Sequence, residues 1–439
     1  MQQPDQQTPP EEGDATASDG STGRNTPGYH QFARELYATN IISDPWLEGQ
    51  ERFRLDPVVL SREVYARLCA AGEAVARVYD ELARIVWERP DLLDDYFALT
   101  PYQKLMWLAS EARWHGIARL DLFLLPDGRV QACEMNSDTP SGEAETVIVN
   151  AMRHAHHPEL HDPNSGMEER FVRMVMRMHG RGRNDLRGLT VGIVYPTDLP
   201  EDLSMIALYR AWFEKRGCSV VLGSPFNIHS APDGRAMLFD TPLDIAIRHY
   251  KTDWWGERVP AWSDEEDYED PDPIDAPLRA MLDADARGAT TVVNPFGAVL
   301  TQNKLTMSFL WDRMDLFSEE SRRAITGYIP ETRRLRDLEH GKIAREDWVL
   351  KSDYGCEGSE VVIGRLTDDA IWQESLEAAT PERWVVQRFF EAAVDDAGDI
   401  ANYGLYVIAG EAAEIYTRLS PTATDYSTAS APTFIRKTG

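Results

Sequence analysis

Cysteine is scarce in this 439-residue chain, and its four cysteines are not spaced as metal ligands. Cys69, Cys133, Cys218 and Cys356 are widely scattered, which is typical of reduced thiols in a cytoplasmic protein. Long apolar runs are also missing, because no stretch of about 20 residues is hydrophobic enough to span a membrane. The first residues are polar and lack the apolar segment of a secretory signal. We therefore expect a cytoplasmic protein with no membrane partner.

Positive charge is also in short supply, with 45 Lys and Arg against 73 Asp and Glu and a formal net charge of −28. Nucleic acids and anionic membranes bind basic surfaces, so the charge argues against both as partners. It is compatible with a cationic ligand such as a polyamine, although an acidic surface that serves solubility is the simpler interpretation. Two nucleotide motifs are absent as well. No GxGxxG follows the first α/β strand and no GxxxxGK[ST] is present, so neither a dinucleotide fold nor a P-loop is supported.

Polar chemistry is concentrated in the stretch RLDLFLLPDGRVQACEMNSDTPS, residues 119–141. Two apolar runs, Leu120 to Leu125 and Val130 to Met135, flank Pro126-Asp127-Gly128, and Pro and Gly favour a turn there. The pattern predicts a β-hairpin. Side chains repeat every two residues along a strand, so polar residues two apart share a face.

The predicted hairpin brings together Arg119 with Asp121 and Glu134 with Asn136. Two carboxylates and an amide oxygen suit Mg²⁺, and an arginine suits a carboxylate or phosphate. The alternative is an ordinary hairpin with a solvated polar face. Against it, Asp121 and Glu134 interrupt apolar strands, and half-buried carboxylates need partners or a metal.

Two lysines in apolar surroundings, Lys304 and Lys351, add the complementary charge. The strand that ends at Lys351 leads into a Gly/Ser loop, residues 352–359, and a second strand follows it. Such a hairpin can lie over phosphates, because glycine lets backbone N–H groups approach closely. Lysines, glycine amides and paired carboxylates together are what ATP chemistry requires.

These residues resemble the glutathionylspermidine synthase family, whose synthetase domain is a circularly permuted ATP-grasp ligase. The matches are Arg119-x-Asp121, Glu134-x-Asn136-x-Asp138-Thr139-Pro140, Lys251-Thr252, Asn303-Lys304, Leu350-Lys351 with residues 355–359, and, more weakly, Asn402-Tyr403-Gly404 and Arg418. They cover the chain from about Arg119 to Arg418. Ordinary ATP-grasp enzymes place the metal-binding acid and Asn after the two lysines. Here Glu134 and Asn136 precede them.

The resemblance implies a role for each matched residue. Asp121, Glu134 and Asn136 would hold Mg²⁺. The ATP ligands would be Lys304 and Lys351 at the phosphates, the loop with Gly355, Gly358 and Ser359 above them, and Gln387 near adenine. Arg119 would stabilise developing charge, and the substrate ligands would be Arg119, Thr139, Ser141, Lys251 and Arg418.

The resemblance also implies the architecture, an α/β (α+β) fold in which a permuted ATP-grasp domain carries an inserted open α/β, pre-ATP-grasp-like domain. We expect an acidic disordered tail over 1–28 and a helical, metal- and donor-binding part over 29–187. The α/β domain would follow over 188–290 and the ATP-binding part over 291–439. A long amphipathic helix is predicted after Asp56-Pro57, and a second from Thr100 to about His115. His154, His156, His157 and His161 fit no zinc spacing and are better explained as a polar loop.

The predicted function is an ATP- and Mg²⁺-dependent carboxylate–amine ligase that acts through an acyl phosphate. Its partners would be a small-molecule or peptide carboxylate donor and an amine acceptor, with a polyamine as one candidate. The N-terminal amidase domain of bifunctional relatives has no counterpart that the residues support. Two alternatives stay open: a degenerate ATP-grasp module that binds nucleotide without ligation, and a phosphotransferase.

Overall fold

The computed structural model describes residues 26–180, 185–197, 202–257, 274–339, 343–355, 360–422 and 428–437. The tail expected over 1–28 lies outside these ranges except for its last three residues. The fold is mixed α/β, as expected. The α-helices are Tyr29–Ala38, Arg62–Glu88, Leu92–Asp95, Pro101–Ala109, Asn150–His154, Met167–His179, Leu203–Lys215, Thr252–Glu257, Asp275–Ala286, Ala298–Gln302, Leu305–Asp312, Glu319–Tyr328 and Asp369–Ala378.

A five-stranded antiparallel sheet, called here the central sheet, contains the predicted hairpin. Its strands in spatial order are Ala429–Ala431, Glu411–Ser420, Ile400–Ile408, Ile117–Leu124 and Val130–Asn136. The hairpin turn forms as expected, with Gly128 at φ +81° and its N–H bonded to the carbonyl of Leu125. The first strand of the hairpin, Ile117–Leu124, pairs on its other edge with Ile400–Ile408, a strand from the C-terminal part of the chain.

The long amphipathic helix Arg62–Glu88 packs against the central sheet. It begins later than Asp56-Pro57, because Val58–Leu60 forms a strand and Ser61 caps the helix by accepting from the N–H of Val64 at 3.1 Å. Its apolar stripe, predicted to run from Val64 to Ile85 at alternating spacings of four and three, is buried from Leu68 onward, whereas Val64 is half-buried. A Cβ at Gly72 would lie 2.4 Å from Leu405 Cδ2, so glycine permits the close approach of helix and sheet. The second predicted helix is shorter than expected and ends at Ala109.

A four-stranded antiparallel sheet, called here the lysine sheet, carries Lys351. Its order is Thr332–Arg334, Trp384–Arg388, Trp348–Ser352 and Val361–Ile363. The last two strands form the hairpin that was predicted around the Gly/Ser loop. Residues 356–359 of that loop, with Gly358 and Ser359, lie outside the described residues.

A parallel four-stranded sheet forms the inserted α/β part. Its order is Thr291–Val293, Ile245–Arg248, Thr190–Val194 and Ser219–Gly223. The strand Thr291–Val293 belongs to this sheet, just beyond the boundary expected at residue 290.

Short strands complete the fold. Ile228–Ser230, Ala236–Leu238 and Thr241–Pro242 form one small sheet, and Trp46–Leu47 with Gln50–Glu51 form another. In a third sheet, Thr433–Arg436 lies between Val58–Leu60 and Leu160–His161. Among the described residues, no helix is both long and apolar enough to cross a membrane.

Candidate active site

The central sheet brings the predicted polar residues of the hairpin together. Asp121 lies opposite Glu134 and Arg119 lies opposite Asn136 on adjacent strands, with a bulge directly after Asp121. Arg119 Nε donates to Asp121 Oδ1 at 2.9 Å, so these two side chains share a face as the spacing predicted. Both are buried, at 6% and 3% exposure. The solvated-face alternative is therefore wrong for Arg119 and Asp121.

Asp121 is the centre of a buried ionic cluster. In addition to Arg119, it accepts from Arg418 Nη2 at 2.6 Å and from Asn402 Nδ2 at 3.4 Å. Burial alone would raise the pKa of the Asp121 carboxyl, but the two guanidinium groups and these hydrogen bonds hold it below its ordinary value. Arg119 and Arg418 come from distant parts of the sequence, and the pairing of their strands with Ile400–Ile408 explains how they meet.

Lys304 lies between two short helices, Ala298–Gln302 and Leu305–Asp312, and faces the hairpin. Its backbone N–H donates to Asp353 O at 2.9 Å, and its ammonium group donates to Gly355 O. Lys304 Nζ is also 3.7 Å from Glu134 Oε2, with only 4% of the side chain exposed. This lysine therefore links the hairpin carboxylate to the start of the Gly/Ser loop.

Lys351 approaches the same hairpin from the lysine sheet. Its Nζ donates to Gln387 Oε1 at 2.8 Å and contacts Cys133 O at 3.4 Å. Burial alone would lower the pKa of Lys351, but the neighbouring Cys133 and Glu134 raise it above its ordinary value, so the side chain is a cation. Both predicted lysines thus lie beside the strand that carries Glu134. Gln387 is bound to Lys351, and its expected place near adenine stays a prediction.

The segment after Asn136 is fixed by buried polar contacts that the sequence did not reveal. The amide of Asn294 accepts from Gly116 N and Ile117 N at 2.8 and 3.0 Å, and donates to the carbonyls of Ile117, Ser137 and Asp138 at 2.8, 3.1 and 2.9 Å. These contacts fix the end of the hairpin strand against the parallel sheet.

Asp138 is anchored to the same sheet by its carboxylate. It pairs with Arg248 at 2.5 Å and accepts from Thr252 N at 2.6 Å. Further along, the carbonyl of Ser141 accepts from Arg119 Nη1 and from the hydroxyl of Tyr406, both at 2.7 Å. Thr139, between these anchors, is half-buried.

Lys251 lies at the edge of this assembly rather than in the Asp121 cluster. Its Nζ donates to Tyr354 O at 3.2 Å and is 3.4 Å from Asp253 Oδ2. Tyr354 immediately precedes Gly355, whose carbonyl binds Lys304. Lys251 is therefore connected to the predicted phosphate-binding lysine through two consecutive residues of the loop.

The hairpin offers oxygen ligands that fit Mg²⁺ in chemistry. Asp121, Glu134 and Asn136 supply two carboxylates and an amide, and Asn136 Nδ2 donates to Glu134 Oε1 at 3.4 Å. No three His, Cys, Asp or Glu side chains form a metal-ligand cluster in the part of the chain that the structure describes. The histidines at 154 and 156 instead contact carbonyl oxygens of Leu160 and Met152.

A family model described as glutathionylspermidine synthase preATP-grasp matches residues 59–436. The chain belongs to this family. The match extends beyond the motif-bearing region at both ends, and it confirms the resemblance drawn from the residues. No curated protein matches the sequence.

Two solved structures match this chain at low sequence identity. A glutathione synthetase-like effector from Globodera pallida, in its apo form, has a TM-score of 0.57 at 9% identity, and the match covers 93% of this chain and 96% of the other. A putative gamma-glutamylcysteine synthetase from Methylobacillus flagellatus has a TM-score of 0.46 at 11% identity, with 86% and 88% covered. At such identity the first likeness supports the fold alone. Family and fold together are those of ATP-grasp-like ligases.

Proposed function

We propose that the protein is an ATP- and Mg²⁺-dependent ligase that joins a carboxylate to an amine through an acyl phosphate. The observation that carries the proposal is the convergence of two buried lysines on one strand. Lys304 Nζ is 3.7 Å from Glu134 Oε2, and Lys351 Nζ is 3.4 Å from Cys133 O. Phosphoryl transfer is catalysed mainly by positioning and by charge. A cytoplasmic setting, where ATP is made and thiols stay reduced, is part of the proposal.

In this proposal the cationic side chains hold the two anionic reactants. Lys304 and Lys351 bind phosphate oxygens of ATP, and Arg119 and Arg418 orient the carboxylate donor and its acyl phosphate. When bound by Asp121, Glu134 and Asn136, Mg²⁺ would supply charge stabilisation to the transferring phosphoryl group.

The reaction has two balanced steps. A donor carboxylate oxygen attacks the γ-phosphorus of ATP, so that an acyl phosphate forms and ADP leaves. The amine nitrogen then attacks the acyl carbon, phosphate leaves with the bonding electron pair, and the nitrogen gives up a proton as the amide forms. Arg119 is suited to stabilise the negative charge that develops on the acyl oxygen.

Nucleotide binding is the first test, because it needs no knowledge of the donor. Calorimetry should show that Lys304→Ala and Lys351→Ala each weaken ATP binding by about 1.5–3 kcal/mol, the value of a lost charge-assisted hydrogen bond. The exposed, charge-matched control is Lys437→Ala, which should leave ATP affinity unchanged. Unchanged affinity in both site variants would reject the ATP assignment.

Turnover is the second test, and it separates the ligase from the two alternatives. Sustained ADP release should require both an acid and an amine, because without the amine the reaction stops at the acyl phosphate. Mass spectrometry should detect the amide product in a screen of acids and amines that starts from glutathione and spermidine. A binding module releases no ADP, and a phosphotransferase releases ADP with no amide. Glu134→Gln should abolish turnover while the protein stays folded. The control Glu411→Gln makes the same change at an exposed glutamate and should leave turnover unchanged. Near-normal turnover of Glu134→Gln would remove Glu134 from the metal set.

A further inference from the structure

Tyr416 shares the face of the central sheet that carries the two arginines bound to Asp121. Along its own strand it is two residues before Arg418, so their side chains point to the same side. Across the sheet it pairs with Gly404, which in turn pairs with Asp121. A Cβ at Gly404 would be 2.8 Å from Arg119 Cδ, so the Arg119 side chain passes over this glycine. The missing side chain at Gly404 therefore leaves the space through which Arg119 reaches the ring of Tyr416.

Both guanidinium groups lie over the Tyr416 ring. The Cζ of Arg119 is 5.9 Å from the ring centroid, and the Cζ of Arg418 is 5.7 Å from it. A cation at this distance is attracted by the quadrupole of the ring, and the attraction is stronger where water is excluded, as it is at the buried Arg119. Two positive groups that share the Asp121 carboxylate also repel each other. A ring beside both of them offsets part of that repulsion.

The ring of Tyr416 is itself held in a fixed place. Its hydroxyl is 2.7 Å from Ser430 Oγ on the neighbouring strand. A Cβ at Gly142 would lie 2.5 Å from Tyr416 Cδ1, so the Gly142 backbone covers the ring closely. Gly142 directly follows Ser141, whose carbonyl accepts from Arg119 Nη1 at 2.7 Å. The same short segment therefore contacts both the ring and one of the arginines that the ring supports.

We propose that Tyr416 is a positioning residue, whose ring holds the guanidinium groups of Arg119 and Arg418 in the arrangement that receives the carboxylate donor. The inference rests on the proposed ligase function, since that function assigns these two arginines to the donor. Tyr416 would act through the arginines and not through the lysines at the ATP phosphates. Its loss should therefore affect use of the acid and leave nucleotide binding unchanged.

The first experiment compares crystal structures of the full chain carrying Tyr416→Leu or Tyr416→Phe, grown without ATP or acid. Leucine removes the ring, so the guanidinium groups of Arg119 and Arg418 should move by about 1 Å or more, a displacement large enough to impair catalysis. Phenylalanine keeps the ring and loses only the hydroxyl, so both groups should stay in place. Unmoved guanidinium groups in Tyr416→Leu would overturn the proposal.

The second experiment measures kinetics with the acid and amine that the turnover screen identifies. Tyr416→Leu should lower kcat/KM for the acid by about tenfold or more, because catalytic groups misplaced by about 1 Å cost up to about 100-fold. ATP affinity, measured by calorimetry, should change by less than about twofold, as expected for a distant site. Tyr416→Phe should restore most of the natural kcat/KM. An equal loss in both variants would assign the effect to the hydroxyl and overturn the role of the ring.

A fluorinated ring separates electrostatic attraction from packing. A trifluorinated phenylalanine at position 416 keeps the shape of the Tyr416→Phe side chain but weakens the negative face of its ring. Its kcat/KM for the acid should fall about threefold below that of Tyr416→Phe, with an unchanged thermal midpoint. The control places the same residue at Phe171, a buried ring that stacks on Tyr209 at 4.7 Å, and should keep the natural kcat/KM.

Equal kcat/KM for Tyr416→Phe and its fluorinated form would overturn the proposal. If Tyr416→Leu does not fold, the fluorinated chain takes its place in the crystals and in the assay. If the natural protein forms no amide, the ligase proposal fails, and the crystal structures decide by themselves whether the ring places the arginines. The two proposals can therefore fail independently.

Discussion

Glu143 is a buried carboxyl whose titration should make stability depend on pH. The side chain has no exposed surface, Oε1 accepts from the hydroxyl of Tyr209 at 3.1 Å, and Oε2 has no partner among the described residues. Burial raises the pKa of Glu143 to about 7, although the charges of His249 and Arg119 oppose the rise. The folded protein therefore keeps a proton on Glu143 that the unfolded chain has already released.

The direction of the effect follows from proton binding. Between pH 4.5 and about 7 the folded state binds more protons at Glu143 than the unfolded state, so stability falls as pH rises through this window. The difference between 4.5 and about 7, at about 1.36 kcal/mol per pKa unit, is about 3 kcal/mol. Glu143→Gln carries no charge at any pH and should lack this loss.

The assay is denaturant unfolding of the natural protein and of Glu143→Gln between pH 4.5 and 8. The variant should gain stability relative to the natural protein as pH rises, by about 3 kcal/mol over the whole range. Glu214→Gln is the control, because Glu214 is exposed and pairs with Arg210 within one helix at 2.7 Å, an arrangement worth little. A stability difference for Glu143→Gln that stays constant across the range would refute the reasoning.

Three further substitutions test the anchoring of the hairpin. Asn294→Ala leaves five backbone groups without their buried partner and should lower the unfolding free energy by about 3 kcal/mol, measured with denaturant; a loss under about 1 kcal/mol would contradict this. Asp138→Asn leaves Arg248 without its buried counter-charge and should destabilise by about 3–5 kcal/mol, whereas an unchanged unfolding midpoint would show that the pair is dispensable. Gly142→Ala places a Cβ 2.5 Å from the ring of Tyr416 at φ +95°, so its thermal midpoint should fall, and an unchanged midpoint would mean that the backbone adapts.

The hairpin and its charges were predictable because their signals are local. Strand periodicity places Arg119 beside Asp121 and Glu134 beside Asn136, and the Pro-Asp-Gly turn joins the two strands, so a short stretch of sequence contains this information. The pairing of Asp121 with Glu134 also depends on the bulge after Asp121, without which the register of the turn would place Cys133 opposite Asp121. The hairpin around Lys351 was predictable for the same reason. The convergence of Lys304, Lys351 and the hairpin could be inferred only through the family resemblance, since sequence spacing does not specify contacts between sheets.

The start of the long helix was mispredicted because a distant strand determines it. Asp56-Pro57 is an acceptable helix start by local rules, but Val58–Leu60 pairs in parallel with Thr433–Arg436. That pairing keeps the chain extended until Ser61, which then caps the helix. A contact across almost the whole chain leaves no trace in local propensity, which is why the error falls at this boundary.

The anchors behind the site were missed for a related reason. Asn294 and Arg248 sit among apolar strand residues, and nothing in their own segments shows that they contact the hairpin end. Their partners are backbone groups and a carboxylate about 110–180 residues away along the chain. The sequence signal that could have identified these anchors is a polar residue that interrupts a buried parallel strand, because a buried polar group requires a hydrogen-bonding or charged partner.

The order of segments along the chain explains how the site is assembled. The hairpin that carries Asp121 and Glu134 comes first, and the parallel sheet and both lysines follow. The strand Ile400–Ile408 then returns to pair with Ile117–Leu124. Arg418 lies on the next strand, Glu411–Ser420, and donates to Asp121. The Asp121 carboxylate therefore binds two arginines, Arg119 from before and Arg418 from after the segments that form the parallel sheet and carry the lysines. In this permuted order the ionic cluster forms only when the C-terminal strands have paired with the hairpin. The ionic cluster around Asp121 is therefore complete only when all the strands of the central sheet that carry it have paired.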